Sequence, residues 1–274
     1  MAACSQAQRV LQKQQQRTQR APLAIKSDIN GATTTATVAP TQQPAAPITL
    51  RLPRTLPRPA FREINVAAVT ATYPELKGVV PQYIRDRLPV AGARMLAAAA
   101  SVQVSHPKNA LPKELEIVMN DMVAAACPTH MFAIHGPTAS TSTAGGAPKR
   151  KVTLFPVHHI VFAAHCSNLP TMPVSAPHGD KTRTLPVVPL CLPSPDAFPL
   201  LQTYLYQKQP QALLASLVPA SLDVSDALRL GHQAMVIHGL WRNACALGVV
   251  DSQLFDVIDR AWEVILVALQ RAHL

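Results

Sequence analysis

The sequence predicts an α+β protein in which a small sheet of about three short strands packs with a majority of α-helices behind a disordered N-terminal tail. Hydrophobic residues make up 48% of the 274 residues, which is enough for a packed core. Several short apolar runs are bounded by Pro or Gly, as strands are, and long stretches of the C-terminal half have apolar residues at helical spacing. Aromatic residues are only 4%, so we expect the core to consist mostly of Ala, Leu and Val.

The predicted tail, residues 1–64, is the most basic part of the chain. Residues 1–63 carry a net charge of +7, whereas the other 211 residues carry +3. The tail is rich in Gln, Ala, Thr and Pro and lacks a sustained apolar period, which is typical of disorder. Its charge predicts contact with an acidic protein partner, or weak, salt-sensitive contact with nucleic acid phosphates. The arginines expected to make it are Arg9, Arg17, Arg20, Arg51, Arg54 and Arg58. The alternative is a solvated tail that the charge keeps soluble.

The N-terminus, the length of the apolar runs and the cysteines predict the cellular compartment of the protein. No apolar run reaches 18 residues, and the polar N-terminus lacks a secretory h-region, so we expect neither a membrane nor an export route. The acid-free residues 1–20 leave open a structural or organellar protein with a mitochondrial presequence. The cysteine count is five and odd, with wide spacings and no C-x-x-C, which predicts thiols in a reducing compartment.

Residues 65–127 are predicted to form a helical extension before the main domain. "VAGARMLAAAASVQV" is rich in Ala and favours a helix. "LPKELEIVMNDMVAAAC" has Leu115, Val118, Met119 and Met122 at spacings that also favour a helix, with a strand at "LEIVM" as the alternative.

Residues 128–274 are predicted to form the main domain. "PTHMFAIHG" and "KRKVTLFPV" read as the two strands of a long-looped hairpin, and "LPVVPLCLP" as a third strand in which Pro189 indicates an edge or a bulge. "SPDAFPLLQTYLYQKQP" starts a helix that Ser194 is expected to cap. The remaining residues follow helical spacing to the C-terminus.

The stretch "HHIVFAAHCSNLP", residues 158–170, contains the densest potential chemistry. His158 and His165 are seven residues apart, so on a helix about 10.5 Å of axial rise separates them, too far for one zinc ion. Cys166 follows His165 directly, and consecutive helical side chains do not face each other. We therefore expect no metal, cofactor or small-molecule substrate. An enzyme of unknown type that uses Cys166 and a distant histidine stays open as an alternative.

The segment "APKRKV" contains the chain's three consecutive cations, Lys149, Arg150 and Lys151, in a predicted loop. Such a cluster resembles a short nuclear-import signal and predicts a nuclear protein. The alternatives are an ordinary solvated turn and a cytoplasmic protein.

The order of these elements resembles a degenerate BTB/POZ domain. A histidine opens the first helix, the small pair Ala163 and Ala164 follows, and "YLY" closes the helix after the third strand. More specifically, "HHIVFAAHCSNLP", "PVVPLCLPSP" and "YLYQKQPQALLASLVP" resemble the clampless-type proteins of basidiomycete fungi. The resemblance implies a non-enzymatic nuclear regulator of sexual development and clamp cell formation that binds transcription factors. An apolar helical face is expected to serve either self-association, as a homodimer, or a protein partner. Candidate partner-binding residues are His158, Phe162, Phe198, Tyr204, Tyr206 and Trp262.

Overall fold

The computed structural model describes residues 52–104, 111–118, 120–137, 151–174, 182–220, 223 and 225–272. They belong to one compact unit. The helices of eight or more residues are α2 (Pro81–Ala100), α5 (Phe198–Gln207), α6 (Pro210–Leu217), α7 (Ala227–Leu247) and α8 (Ser252–Ala272). Shorter helices are α1 (Val66–Thr72), α3 (Asp121–Ala125) and α4 (His159–His165), with 3-10 turns at Pro74–Leu76 and Pro195–Ala197. The strands are β1 (Glu114–Val118), β2 (His130–His135), β3 (Val152–Val157) and β4 (Thr182–Cys191).

The sheet has the strand order β1-β4-β2-β3, which confirms the α+β prediction with four strands rather than about three. β2 and β3 form the predicted antiparallel hairpin, with Phe132 opposite Phe155. β2 also pairs in parallel with β4, from Met131 opposite Val187 to His135 opposite Cys191. Parallel pairing needs a crossover, and α4 lies within the connection between β3 and β4.

The fourth strand, β1, corrects the helix favoured across residues 111–127 and confirms the strand that was the alternative at "LEIVM". Leu115 and Ile117 are the more buried side chains of β1, and this period of two is that of a strand. The helix begins only at Asp121, where the Asn120 side chain accepts a hydrogen bond from the backbone N–H of Val123 at 2.9 Å. Thus residues 115–122 show helical spacing only because the end of β1 and the start of the following helix were treated as one element.

Pro189 was expected to mark an edge strand or a bulge. The strand that contains it, β4, is an inner strand of the sheet, but Pro189 itself has a neighbouring strand on one side only. β4 lies inside the sheet, yet it pairs with β1 only through residues 182–186 and with β2 only through residues 187–191. Pro189 therefore has a single neighbouring strand, and its missing N–H leaves the pairing with β2 intact.

Most buried hydrophobic residues are Ala, Leu or Val, as predicted, but an aromatic cluster lies at the centre of the core. Phe162 of α4 meets Phe132 of β2 edge-on at a centroid distance of 4.9 Å and stacks on Phe198 of α5 at 5.9 Å. Phe155 of β3 meets Phe198 at 4.9 Å. The few aromatic residues are thus concentrated where the hairpin, α4 and α5 meet, and edge-on pairs add to their burial energy.

Ser194 does not cap the helix that follows it. Its side chain makes no capping hydrogen bond. Instead, its backbone is held by Asn243 of α7, whose Oδ1 accepts from the Ser194 N–H at 3.0 Å and whose Nδ2 donates to the Ser194 carbonyl at 2.6 Å. A buried amide from a distant helix therefore anchors the residue that precedes this helix.

Candidate functional site

The histidine-rich stretch is an internal scaffold of the fold. His158 is buried at the start of α4, where its Nε2 lies 3.0 Å from the Ala126 carbonyl and its Nδ1 lies 2.9 Å from the Tyr206 hydroxyl. The same hydroxyl accepts the backbone N–H of His158 at 2.9 Å. Because a carbonyl can only accept, Nε2 carries the proton of the neutral ring, and the Tyr206 hydroxyl donates to Nδ1.

A second set of contacts surrounds His159. Its backbone N–H donates to the Thr129 hydroxyl at 2.7 Å, and that hydroxyl lies 3.0 Å from Nδ1 of His130. The His159 ring stacks on Tyr73 at 5.7 Å and lies 5.4 Å from the His130 ring. His130 in turn contacts the Pro173 carbonyl through Nε2 at 2.8 Å. The rings thus join α4 to β2 and to the segments on either side.

Burial keeps these histidines neutral. It lowers the pKa of His158, His159 and His165 to about 4, so all three are uncharged near pH 7. Among the described residues, no group of three or more His, Cys, Asp or Glu could hold a metal ion. Burial also raises the pKa of the Cys166 thiol, which favours the protonated, weakly nucleophilic form. This environment is that of a structural thiol.

The six candidate partner-binding residues lie inside the core rather than on a surface. These buried side chains are His158, Phe162, Phe198, Tyr204, Tyr206 and Trp262. Five of the six are aromatic side chains of the apolar core, and His158 is held there by its hydrogen bonds. A partner could touch five of these six residues, all but Trp262, only after the core opened. Trp262 alone extends a polar atom to the edge of the core, toward residue 53.

The predicted basic residues fall mostly outside the described part of the chain. Lys149 and Arg150 lie outside it, and Lys151 is exposed, 3.9 Å from the exposed carboxylate of Asp196. Of the tail arginines, Arg54 is exposed and Arg58 contacts acidic residues of the same chain. The tail arginines outside the described residues are Arg9, Arg17, Arg20 and Arg51.

Residues 52–58, here called the arm, contact the C-terminal helices through two tryptophan side chains. Disorder is predicted as far as residue 64, but residues 52–64 lie against the helices, with Leu56 and Ile64 buried. The arm repeats Leu-Pro-Arg, first at residues 52–54 and again at residues 56–58. The indole N–H of Trp262 donates to the Pro53 carbonyl at 3.1 Å, and that of Trp241 donates to the Pro57 carbonyl at 3.0 Å.

The surface that receives the arm lies on the helical hairpin of α7 and α8. His238 lies between the two indoles, with its ring 5.4 Å from that of Trp241 and 6.1 Å from that of Trp262. Beyond them, Arg58 reaches Asp256 at 2.7 Å and Asp259 at 2.6 Å. We call these five residues of α7 and α8 the aromatic groove: His238, Trp241, Trp262, Asp256 and Asp259. Sequence reasoning missed it, although the Leu-Pro-Arg repeat and the pair of tryptophans were visible signals.

Two models of known protein families together match most of the chain. Residues 59–193 match the model of the clampless protein 1 N-terminal domain, and residues 185–273 match that of the clampless protein 1 C-terminal domain. The chain belongs to the clampless protein family. Membership in the clampless family indicates a regulatory role in the formation of fungal clamp cells. The two matched regions overlap at residues 185–193, which include the C-terminal part of β4, and the arm precedes the first of them.

The other comparisons add no relative of this clampless-family chain. No curated protein and no solved structure matches it. The BTB/POZ-like description therefore stays a prediction. No helix in the described ranges is both long and apolar enough to cross a membrane.

Proposed function

We propose that this protein is a non-enzymatic nuclear regulator that controls fungal sexual development by binding protein partners, transcription factors among them. The observation that carries the proposal is the arm itself, since a helical surface of the fold holds an extended peptide through side-chain contacts. Clampless-family membership supplies the developmental role. Self-association, and weak contact of the basic tail with nucleic acid, remain part of the proposal.

The side chains that could have served catalysis support a binding role. The alternative enzyme needs Cys166 as a thiolate, but this thiol is buried and its pKa is raised. The nearest histidine in sequence, His165, has a pKa lowered to about 4 and donates through Nδ1 to the Val161 carbonyl at 2.8 Å. Both groups are buried in the core around α4, so a partner would bind at the exterior of the fold.

Nuclear action is tested by replacing Lys149, Arg150 and Lys151 with Ala in the full-length chain. We expect loss of nuclear accumulation and of clamp cells, because the import receptor no longer has the basic cluster it recognises. Fluorescence of a tagged copy and counts of clamped septa measure both. Fusing a separate import signal to the variant should restore both readouts.

The matched control replaces three exposed cations elsewhere, Arg94, Lys113 and Arg271, with Ala. It loses the same charge and should keep nuclear accumulation. Unchanged localisation of the 149–151 variant would remove the import signal. Normal clamp cells in a strain whose protein stays outside the nucleus would refute nuclear action.

A further inference from the structure

We propose that the aromatic groove is a recognition site for proline-containing, basic segments of a partner protein, and that the arm occupies this site as an intramolecular ligand. The inference rests on the proposed partner binding and adds the site and the chemistry of the ligand. The site lies on α7 and α8, and the ligand pattern is the one the arm displays, Leu-Pro-Arg repeated after four residues.

The indoles explain the preference for proline. A proline fixes its own φ and favours an extended chain, in which carbonyl groups stay free of internal hydrogen bonds and can accept from a partner. Trp262 and Trp241 donate to the carbonyls of Pro53 and Pro57, one indole for each repeat. Aromatic-lined grooves that bind proline-rich segments work by the same physics, because such segments lose little entropy on binding.

The aspartates explain the preference for a basic residue. Arg58 donates from Nη2 to Asp256 at 2.7 Å and from both Nε (3.0 Å) and Nη2 (2.6 Å) to Asp259. This pair of carboxylates lies at the Pro57 end of the groove, on a chain whose net charge is +10. An exposed ion pair adds little affinity. Its position at one end sets the direction in which a ligand lies.

The way the arm is held allows it to be exchanged. Among the described residues, no backbone–backbone hydrogen bond joins residues 52–63 to the rest of the fold. Leu56 is the buried anchor of the arm, and residues 57–63 are exposed up to the buried Ile64. A cavity of about 480 Å³ lies against residues 58–62. The segment that connects the arm to α1 is therefore loosely packed. The arm can therefore leave without unwinding a helix or a strand.

An intramolecular ligand has a high effective concentration, on the order of millimolar for a short connection. A partner segment of the same pattern must compete with it, so the arm sets a threshold for partner binding. A partner that offers a better proline-containing segment, or a second contact elsewhere, would displace the arm.

The test uses a labelled peptide of residues 51–60, RLPRTLPRPA, and two full-length proteins. One is the wild-type chain, and the other, the arm-released chain, carries Leu56→Asp and Arg58→Glu. Fluorescence anisotropy should show at least tenfold tighter binding to the arm-released chain, because its own arm no longer competes. The same peptide carrying Arg58→Glu should bind several-fold more weakly than the unmodified peptide, because its glutamate would face the carboxylates of Asp256 and Asp259.

The indoles are tested by adding Trp241→Phe and Trp262→Phe to the arm-released chain. Phenylalanine keeps an aromatic ring but removes the pyrrole ring and its N–H, so we expect at least a tenfold loss of peptide affinity. A folded arm-released chain that binds no peptide, or whose binding the two replacements leave unchanged, overturns the proposal. A wild-type dimer that dissociates in the arm-released chain also overturns it, because a second copy's arm is then the occupant.

A second measurement covers an arm-released chain that fails to fold. Trp262→Phe alone, in the full-length chain, should release the Pro53 end and speed trypsin cleavage after the exposed Arg54 several-fold over the wild type. An unchanged cleavage rate overturns the proposal. These readouts use purified protein, so their failure leaves nuclear accumulation and clamp formation to decide the proposed function separately.

Discussion

At the residue scale, Tyr206 shows how one hydroxyl can order a buried segment. It serves both the backbone N–H and the ring of His158, so the start of α4 and the end of α5 share a single polar contact. Burial raises the pKa of Tyr206, so its proton remains available to donate to the neutral ring. Of the histidines of this stretch, His158 and His165 have ring hydrogen bonds of this internal kind.

Replacing Tyr206 by Phe should lower the free energy of unfolding by about 1–3 kcal/mol, because two buried groups of His158 lose their partner while the ring is kept. Urea denaturation measures the loss. Tyr83→Phe is the matched control, since Tyr83 is 57% exposed, and it should change stability by less than about 0.5 kcal/mol. Equal effects for the two variants would contradict the assignment.

At the element scale, the close approach of α2 and α5 depends on one glycine. A Cβ placed on Gly92 of α2 would lie 1.8 Å from the backbone carbonyl oxygen of Tyr206. No side-chain rotation can relieve a contact with backbone. Hence the two helices meet with no side chain between them at this point, and α5 is held where Tyr206 can reach His158.

We expect Gly92→Ala to destabilise the fold by about 2 kcal/mol or more. The overpacking cost exceeds the roughly 1 kcal/mol that alanine gains over glycine within a helix. Gly136→Ala is the control, because its Cβ would meet Pro195 at an ordinary 3.7 Å. Thermal or urea unfolding of both variants tests this, and a Gly92→Ala protein as stable as the wild type would show that the helices can separate freely.

At the scale of the whole molecule, the two family regions build one fold. The C-terminal part of β4 lies in both matched regions, and the strand pairs with β1 on one side and β2 on the other. α4 and α5, which come from different regions, meet through Phe162 and Phe198. The buried histidines at this junction therefore couple the protonation of a few rings to the stability of the entire unit.

This coupling predicts acid sensitivity with a definite sign. Burial, and next the charge of Lys208, lower the pKa of His165 to about 4. As the pH falls below about 6.5, the unfolded chain binds a proton that the folded chain refuses, so the free energy of unfolding falls until about pH 4. A pKa lowered from 6.5 to about 4 corresponds to roughly 3 kcal/mol for one group.

Urea denaturation between pH 7 and pH 4 of the wild type and of His165→Leu measures this contribution. Leucine cannot be protonated, so the stability difference between the two proteins should shift in favour of the variant by up to roughly 3 kcal/mol as the pH falls. Parallel pH profiles would show that His165 takes up its proton equally well in the folded chain.

Sequence reasoning succeeded where the signal was local and failed where it was not. β2 and β3 were predictable because short apolar runs end at Pro and Gly. β1 was misread because Leu115 and Val118 belong to one element and Met122 to the next, at a spacing that imitates a helix. The groove went unseen because Trp262 and Pro53 are 209 residues apart, and no periodicity relates them.

The amino-acid sequence by itself determined the α+β class, the hairpin, most helices and the family resemblance. These features depend on hydrophobic periodicity and short motifs, which involve only residues close together in the sequence. Only the tertiary structure decided that the histidines are neutral internal supports, that the six candidate partner-binding side chains are buried, and that a predicted tail segment is bound. The physical reason is that burial, hydrogen-bond partner and charge environment depend on residues brought together from distant positions, such as His158 with Tyr206 and Arg58 with Asp259.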